Sequence, residues 1–181
     1  MDLLRPHFLT LTDLDLAYNN NATSAMAQEI MSSCPLLVTF RAPQIEAMDI
    51  VEGHPWVCFG IQQLRTLIHF NSITIRQVQP IVFDQLSRLT RLEVLNLSYL
   101  DPMGVRFGDD LLDLRLESGL DKLSSLRLLR VIEFPSTKQS MDEQEIDWIL
   151  EHWKFLRRID GVLNAFDPDI NKALRQRLEQ H

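Results

Sequence analysis

The pattern Leu-x-x-Leu-x-Leu constrains this chain more than any other feature, because it recurs. It is clearest in LTRLEVLNLSYL, at Leu92, Leu95 and Leu97, and again in LTDLDLAYN, at Leu11, Leu14 and Leu16, with Asn19 following the strand. Weaker copies are Leu37, Phe40 and Ala42; Leu64, Leu67 and His69; Leu126, Leu129 and Val131; and Leu156, Ile159 and Gly161. Their first positions, 11, 37, 64, 92, 126 and 156, lie 26, 27, 28, 34 and 30 residues apart. A near-constant interval means that one small unit is built again and again, each copy burying its apolar side against the next. The pattern predicts an α/β solenoid in one domain, residues 1–181.

The segments between these strands carry helical periodicity. In RQVQPIVFDQLSRL the apolar positions Val78, Ile81, Val82, Leu86 and Leu89 share one face. In SMDEQEIDWILEHW, Ser140 and Glu143 have capping-box spacing ahead of Ile146, Ile149 and Leu150. Parallel strands joined by right-handed crossovers follow, with six strands on the concave face of an open arc and helices on the convex face. The longest interval holds an insertion at 101–120 with three of the six glycines. Asp167 and Pro168 open a C-terminal capping helix within 166–181, striped by Ile170, Leu174 and Leu178. Only ten residues precede Leu11, too few for a matching N-terminal cap, so a chain cut from, or descended from, something longer is expected.

In such a strand the leucines point inward and the alternating residues point to the concave face. The residues this register turns outward include Asp13 and Asp15, Arg41, Ile68 and Phe70, Val94 and Asn96, Leu128, Arg130 and Ile132, and Arg158 and Asp160. They form the candidate protein-binding face, roughly 24 Å across for strands about 4.8 Å apart. Its apolar members would mark a partner site, flanked by arginines suited to anchoring one. A slipped register competes with this reading. In the third repeat Ile68 and Phe70 are more apolar than His69, and a one-residue slip sends every side chain to the opposite face.

The chain carries a net charge of −7 and no obvious basic stripe, which argues against nucleic acid as a partner. No run of about 18 apolar residues exists to span a membrane. Two cysteines, Cys34 and Cys58, are too few for a disulfide-stapled secreted scaffold, so an intracellular, cytoplasmic or nuclear location is expected. No phosphate-binding loop or zinc-protease motif occurs. Asp109, Asp110 and Asp113 in the insertion read as solvated acids, and the cysteines as small core residues, so no enzyme activity, cofactor or metal is expected.

With the repeats located, the chain resembles the leucine-rich repeats of the ribonuclease-inhibitor-like and cysteine-containing kinds found in F-box proteins. Cys34-Pro35-Leu36-Leu37 matches a cysteine placed three residues before the first strand leucine. His54-Pro55-Trp56-Val57-Cys58, followed by Ile61 and Leu64, resembles a tryptophan–cysteine element of large fungal F-box families, and LRRIDGVLN at 156–164 resembles their last repeat. The resemblance implies a non-catalytic module that holds a protein substrate for a ubiquitin ligase. No F-box precedes these repeats, so ligase membership is expected only if one lies upstream in a longer form. A stand-alone scaffold or inhibitor of the ribonuclease-inhibitor type is the alternative.

Overall fold

In the computed structural model, residues 5–71, 75–98, 111–134 and 139–180 are described. They form an α/β structure around one open sheet of six parallel strands, β1 Asp13–Asp15, β2 Thr39–Glu46, β3 Gln63–His69, β4 Val94–Asn96, β5 Val131–Glu133 and β6 Arg158–Asp160, in spatial order β1-β2-β3-β4-β5-β6. Helices α1 Ser24–Ser33, α2 Ala47–Glu52, α3 Ile75–Ser87, α4 Glu143–His152 and α5 Pro168–Glu179 lie between or after the strands. Between β4 and β5 the described residues include two short 3₁₀ stretches, Leu116–Ser118 and Leu120–Ser125.

The chain is laid down the same way at β2, β3, β4, β5 and β6. A turn closes first: the N–H groups of Leu37, Ile61, Leu92, Leu129 and Leu156 donate to the carbonyls of Cys34, Cys58, Leu89, Leu126 and Trp153, three residues earlier. One residue further on, the chain docks on its predecessor. The carbonyls of Thr12, Val38, Gln62, Glu93 and Arg130 each accept two successive N–H groups from the next strand, at 2.7–3.2 Å. These paired acceptors satisfy backbone groups that would otherwise be buried and unmet.

That ladder sets the register. Leu14, Phe40, Leu64, Leu95, Ile132 and Ile159 lie side by side across the sheet. Three residues before them, Leu37, Ile61, Leu92 and Leu129 are fully buried, while Leu11 and Leu156 at the two ends are half-buried. A third inward row runs Leu16, Ala42, Thr66, Leu97, Phe134 and Gly161. Its last two members are matched in size. A Cβ on Gly161 would stand 2.5 Å from the Phe134 ring, and Gly161 has a φ of +132° that L side chains rarely adopt. The glycine makes room for the phenylalanine.

Two expectations are corrected by this register. At the third and fifth strands Ile61 and Leu129, not Leu64 and Leu126, align with Leu92, so the intervals between these positions are 26, 24, 31, 37 and 27 residues. A shift of three is odd, and an odd shift exchanges the two faces of a strand. Ile68, Phe70 and Ile132, expected on the concave face, are therefore core residues at 1%, 0% and 2% exposure. The capping box of α4 likewise sits two residues late. It is made by Asp142 and Glu145, whose carboxylates accept from the Gln144 and Asp142 N–H groups, and not by Ser140 and Glu143.

Buried side-chain amides and one buried carboxylate fasten the described part of the insertion. Gln139 accepts from the Leu114 N–H at 2.9 Å and donates to the Leu112 carbonyl at 2.8 Å. Gln79 does the same with Asp113, and Glu145 accepts from the Leu116 N–H at 3.0 Å. Gln28, on α1, accepts from the Trp56 indole at 2.7 Å and donates to the His54 carbonyl. Residues 101–110 of the expected insertion, including Asp109 and Asp110, lie outside the described residues.

The exposed side of β6 is handled by α5. The Arg175 guanidinium donates to the carbonyls of Ile159 and Gly161, where a further strand would otherwise pair. The N-cap of α5 is Asp167, whose carboxylate accepts from the Asp169 and Ile170 N–H groups, with Pro168 in the first turn.

The register makes a direct prediction about neighbouring residues of β5. Ile132→Ala should cost about 2–4 kcal/mol, as for a buried aliphatic side chain. Val131→Ala, on the outward row, should stay within about 0.5–1 kcal/mol. Urea denaturation of the two variants checks the difference, and the opposite ranking is expected if Leu126 begins the repeat.

Candidate functional site

The ladder leaves one sheet face bearing two rows of outward residues. The first is Asp13, Thr39, Gln63, Val94, Val131 and Arg158; the second is Asp15, Arg41, Arg65, Asn96, Glu133 and Asp160. Because strands in register sit about 4.8 Å apart, neighbours within a row are in side-chain reach. The second row reads acid, base, base, amide, acid, acid across the sheet.

Most of these charges are engaged on the face itself. Arg41 Nη1 lies 2.9 Å from Asp15 Oδ2, and Arg158 Nε lies 2.7 Å from Asp160 Oδ2. Asn96 donates to the Glu133 carboxylate and accepts from the Ser98 N–H at 2.9 Å. Pairs this exposed contribute under about 1 kcal/mol to stability, so they orient side chains more than they hold the fold. Arg65 stands apart. It is half-buried between Arg41 and Asn96, and has no hydrogen bond or ion pair among the described residues. Arg41, Arg65, Asn96, Ser98 and Glu133 line a cleft of about 210 Å³, with Tyr18, 79% exposed, at one side. A second, shallower hollow of about 480 Å³ runs from Asp13 and Asp15 past Arg41 to Arg65. The centre of the face is thus a cation with an unused donor fork, bordered by a carboxylate and two small polar groups. Such a guanidinium binds a carboxylate in bidentate geometry.

Of the residues expected on this face, the structure places Asp13, Asp15, Arg41, Val94, Asn96, Arg158 and Asp160 there. Leu128 and Arg130 are exposed but sit in the turn before β5, where Arg130 Nε pairs with Glu93 Oε2 at 3.3 Å. Ile68, Phe70 and Ile132 leave the face for the core, and with them goes the apolar patch that had suggested a partner. Gln63, Arg65, Val131 and Glu133 were missed. The cysteine spacing could have found half of them: Cys58 precedes Ile61 by three residues just as Cys34 precedes Leu37.

The two thiols occupy equivalent turns and are both fully buried. Burial, with the Glu29 carboxylate second, pushes Cys34 up to about 11; burial pushes Cys58 up to about 12. Cys58 Sγ rests 3.7 Å from Met31 Sδ. Protonated, enclosed thiols make poor nucleophiles and poor metal ligands. Among the described residues no group of three or more His, Cys, Asp or Glu side chains is placed to hold a metal ion. Asp113 is engaged by Arg115 at 2.6 Å and by Ser118 at 2.7 Å. No helix among the described residues is long and apolar enough to cross a membrane.

Comparison with known proteins finds no matching family model, no matching curated protein and no matching solved structure.

The thiols supply a prediction with a sign. Their folded values lie above the ordinary 9, so folding favours the protonated form. That stabilisation is complete below pH 9 and is lost as pH rises towards 11 and 12. At neutral pH, Cys34 and Cys58 should resist alkylation in native protein and react fully in denaturant. Mass spectrometry after iodoacetamide checks this, and rapid native labelling of either thiol would contradict their placement.

Proposed function

We propose that this chain is a leucine-rich-repeat solenoid acting as a non-catalytic protein-interaction module, with the outward face of its sheet as the binding surface. The observation that carries the reading is Arg65, a cation with no hydrogen bond or ion pair among the described residues, at the centre of a face where Arg41, Asp15, Arg158 and Asp160 are paired. Identical turns and identical backbone docking in five successive crossovers support the solenoid, since a repeat unit is what reuses one local geometry. The sequential strand order agrees with it.

A partner protein lays an acidic side chain into the fork of Arg65, with Arg41 beside it, and a basic or amide group against Glu133. The mixed signs along the row select a partner by charge order as well as by shape. The context we favour is substrate recognition of the F-box type, resting on the repeat pattern and on Cys34 and Cys58 at matching turn positions. That context requires an adaptor-binding segment besides these repeats.

Affinity capture from the native source with wild type and Arg65→Glu tests the face. Charge reversal at a central anchor should weaken capture of the specific partner by about thirtyfold or more, equivalent to about 2 kcal/mol, without moving the thermal midpoint. Undiminished capture would put the binding surface elsewhere. If a longer form fails to bind the ligase adaptor while partner capture persists, the ligase context falls and a stand-alone scaffold or inhibitor remains.

A further inference from the structure

The turns that precede the strands stack as regularly as the strands do, and they form a second surface. Their exposed positions change character along the sheet. In the last two turns they are Arg127-Leu128 and Lys154-Phe155, followed two residues on by Arg130 and Arg157. Leu128 is 43% and Phe155 57% exposed, and all four cations are exposed. Neither turn contains an acid. Arg130 is offset by Glu93, and Lys154 Nζ donates to the Leu150 carbonyl at 2.8 Å. Arg127 and Arg157 have no partner among the described residues. A chain with a net charge of −7 thus carries a concentrated basic flank.

Beside this flank runs a groove of about 430 Å³ between β6 and α5. Leu150, Leu156 and Leu178 contribute apolar floor, and Lys154, Arg157 and Arg158 stand along it. Arg158 is already paired with Asp160 and Arg175 caps the strand edge, while Glu179 is the acid present. Cationic walls over an apolar floor, continuous with two exposed apolar side chains, call for a ligand carrying both features.

We propose that this flank and groove form a second docking surface, for a short segment of another protein in which acidic residues alternate with apolar ones. The acids meet Arg127, Lys154 and Arg157, and the apolar side chains cover Leu128 and Phe155 and fill the groove. Charge complementarity selects this occupant. A nucleic-acid backbone would use the cations but leave the apolar floor and Leu128 unmatched, and the chain's net charge of −7 disfavours its approach. A bilayer surface meets a protein as a broad plane and does not fill a groove. Being on a different flank from Arg65, the surface stands or falls independently of the sheet face.

The test is fluorescence anisotropy with the folded full chain and a labelled synthetic peptide alternating glutamate with leucine and phenylalanine. Parallel arms use the same peptide with lysine for glutamate, a glutamate-only peptide, a single-stranded oligonucleotide and phosphatidylserine vesicles. The acidic–apolar peptide should bind best. Arg127→Glu/Lys154→Glu/Arg157→Glu should weaken it at least about tenfold, Leu128→Ser/Phe155→Ser by a comparable factor, and Arg65→Glu should leave it unchanged. The double variant keeps the question answerable if the triple one unfolds. No binding of that peptide to wild type, equal binding by both variants, or preference for the oligonucleotide or vesicles would overturn the proposal. So would loss of binding in Arg65→Glu.

Discussion

The docking of one carbonyl onto two N–H groups of the next strand is the interaction on which the rest depends. Thr12, Val38, Gln62, Glu93 and Arg130 each provide it. A single hydrogen bond of this kind contributes only about 1 kcal/mol net, but a slipped strand forfeits its docking and exchanges its two faces together. Register is therefore strongly fixed wherever one face is core. Both surfaces follow from it: the side chains after the docking point make the sheet face, and those just before it make the basic flank.

Burial is shared out across the sheet so that each strand's surroundings complete its neighbour's. The inner strands are preceded by fully buried residues, Leu37, Ile61, Leu92 and Leu129, whereas Leu11 and Leu156 at the ends are half-buried. Phe134 occupies space that Gly161 vacates. Gln28, Gln79, Gln139 and Glu145 link the layers through backbone groups, and no buried side-chain polar atom among the described residues lacks a partner. Arg65, Arg127 and Arg157 have no hydrogen bond or ion pair among the described residues, while Arg41, Arg130 and Arg158 beside them are paired.

Much of this was legible in the sequence where one template alone fitted. Leu92, Leu95 and Leu97 fill all three template positions with leucine, which outweighs the weaker Leu89-x-x-Leu92-x-Val94, and Leu37, Phe40 and Ala42 have no such rival; these give Val94, Asn96 and Arg41 their outward places. The third and fifth repeats each offered two templates three residues apart, since Leu64 and Leu129 can serve as either first or second leucine. Nothing in local periodicity separates the choices. The docking ladder does, and it is a contact between strands, invisible to a pattern read along one. The basic flank was illegible for a related reason: its cations lie about thirty residues apart in sequence and meet only when turns stack. Net charge concealed it.

Cross-linking between β3 and β4 tests the shared register most directly. Adjacent strands bring in-register Cα atoms to about 4.8 Å, within the usual range for a disulfide, and the native thiols are enclosed. Arg65→Cys with Asn96→Cys should form an intramolecular bridge on mild oxidation of the folded protein, and Ile68→Cys with Asn96→Cys should not. Bridging of the second pair and failure of the first would place Ile68 on the face and Arg65 off it, contradicting the binding surface described above.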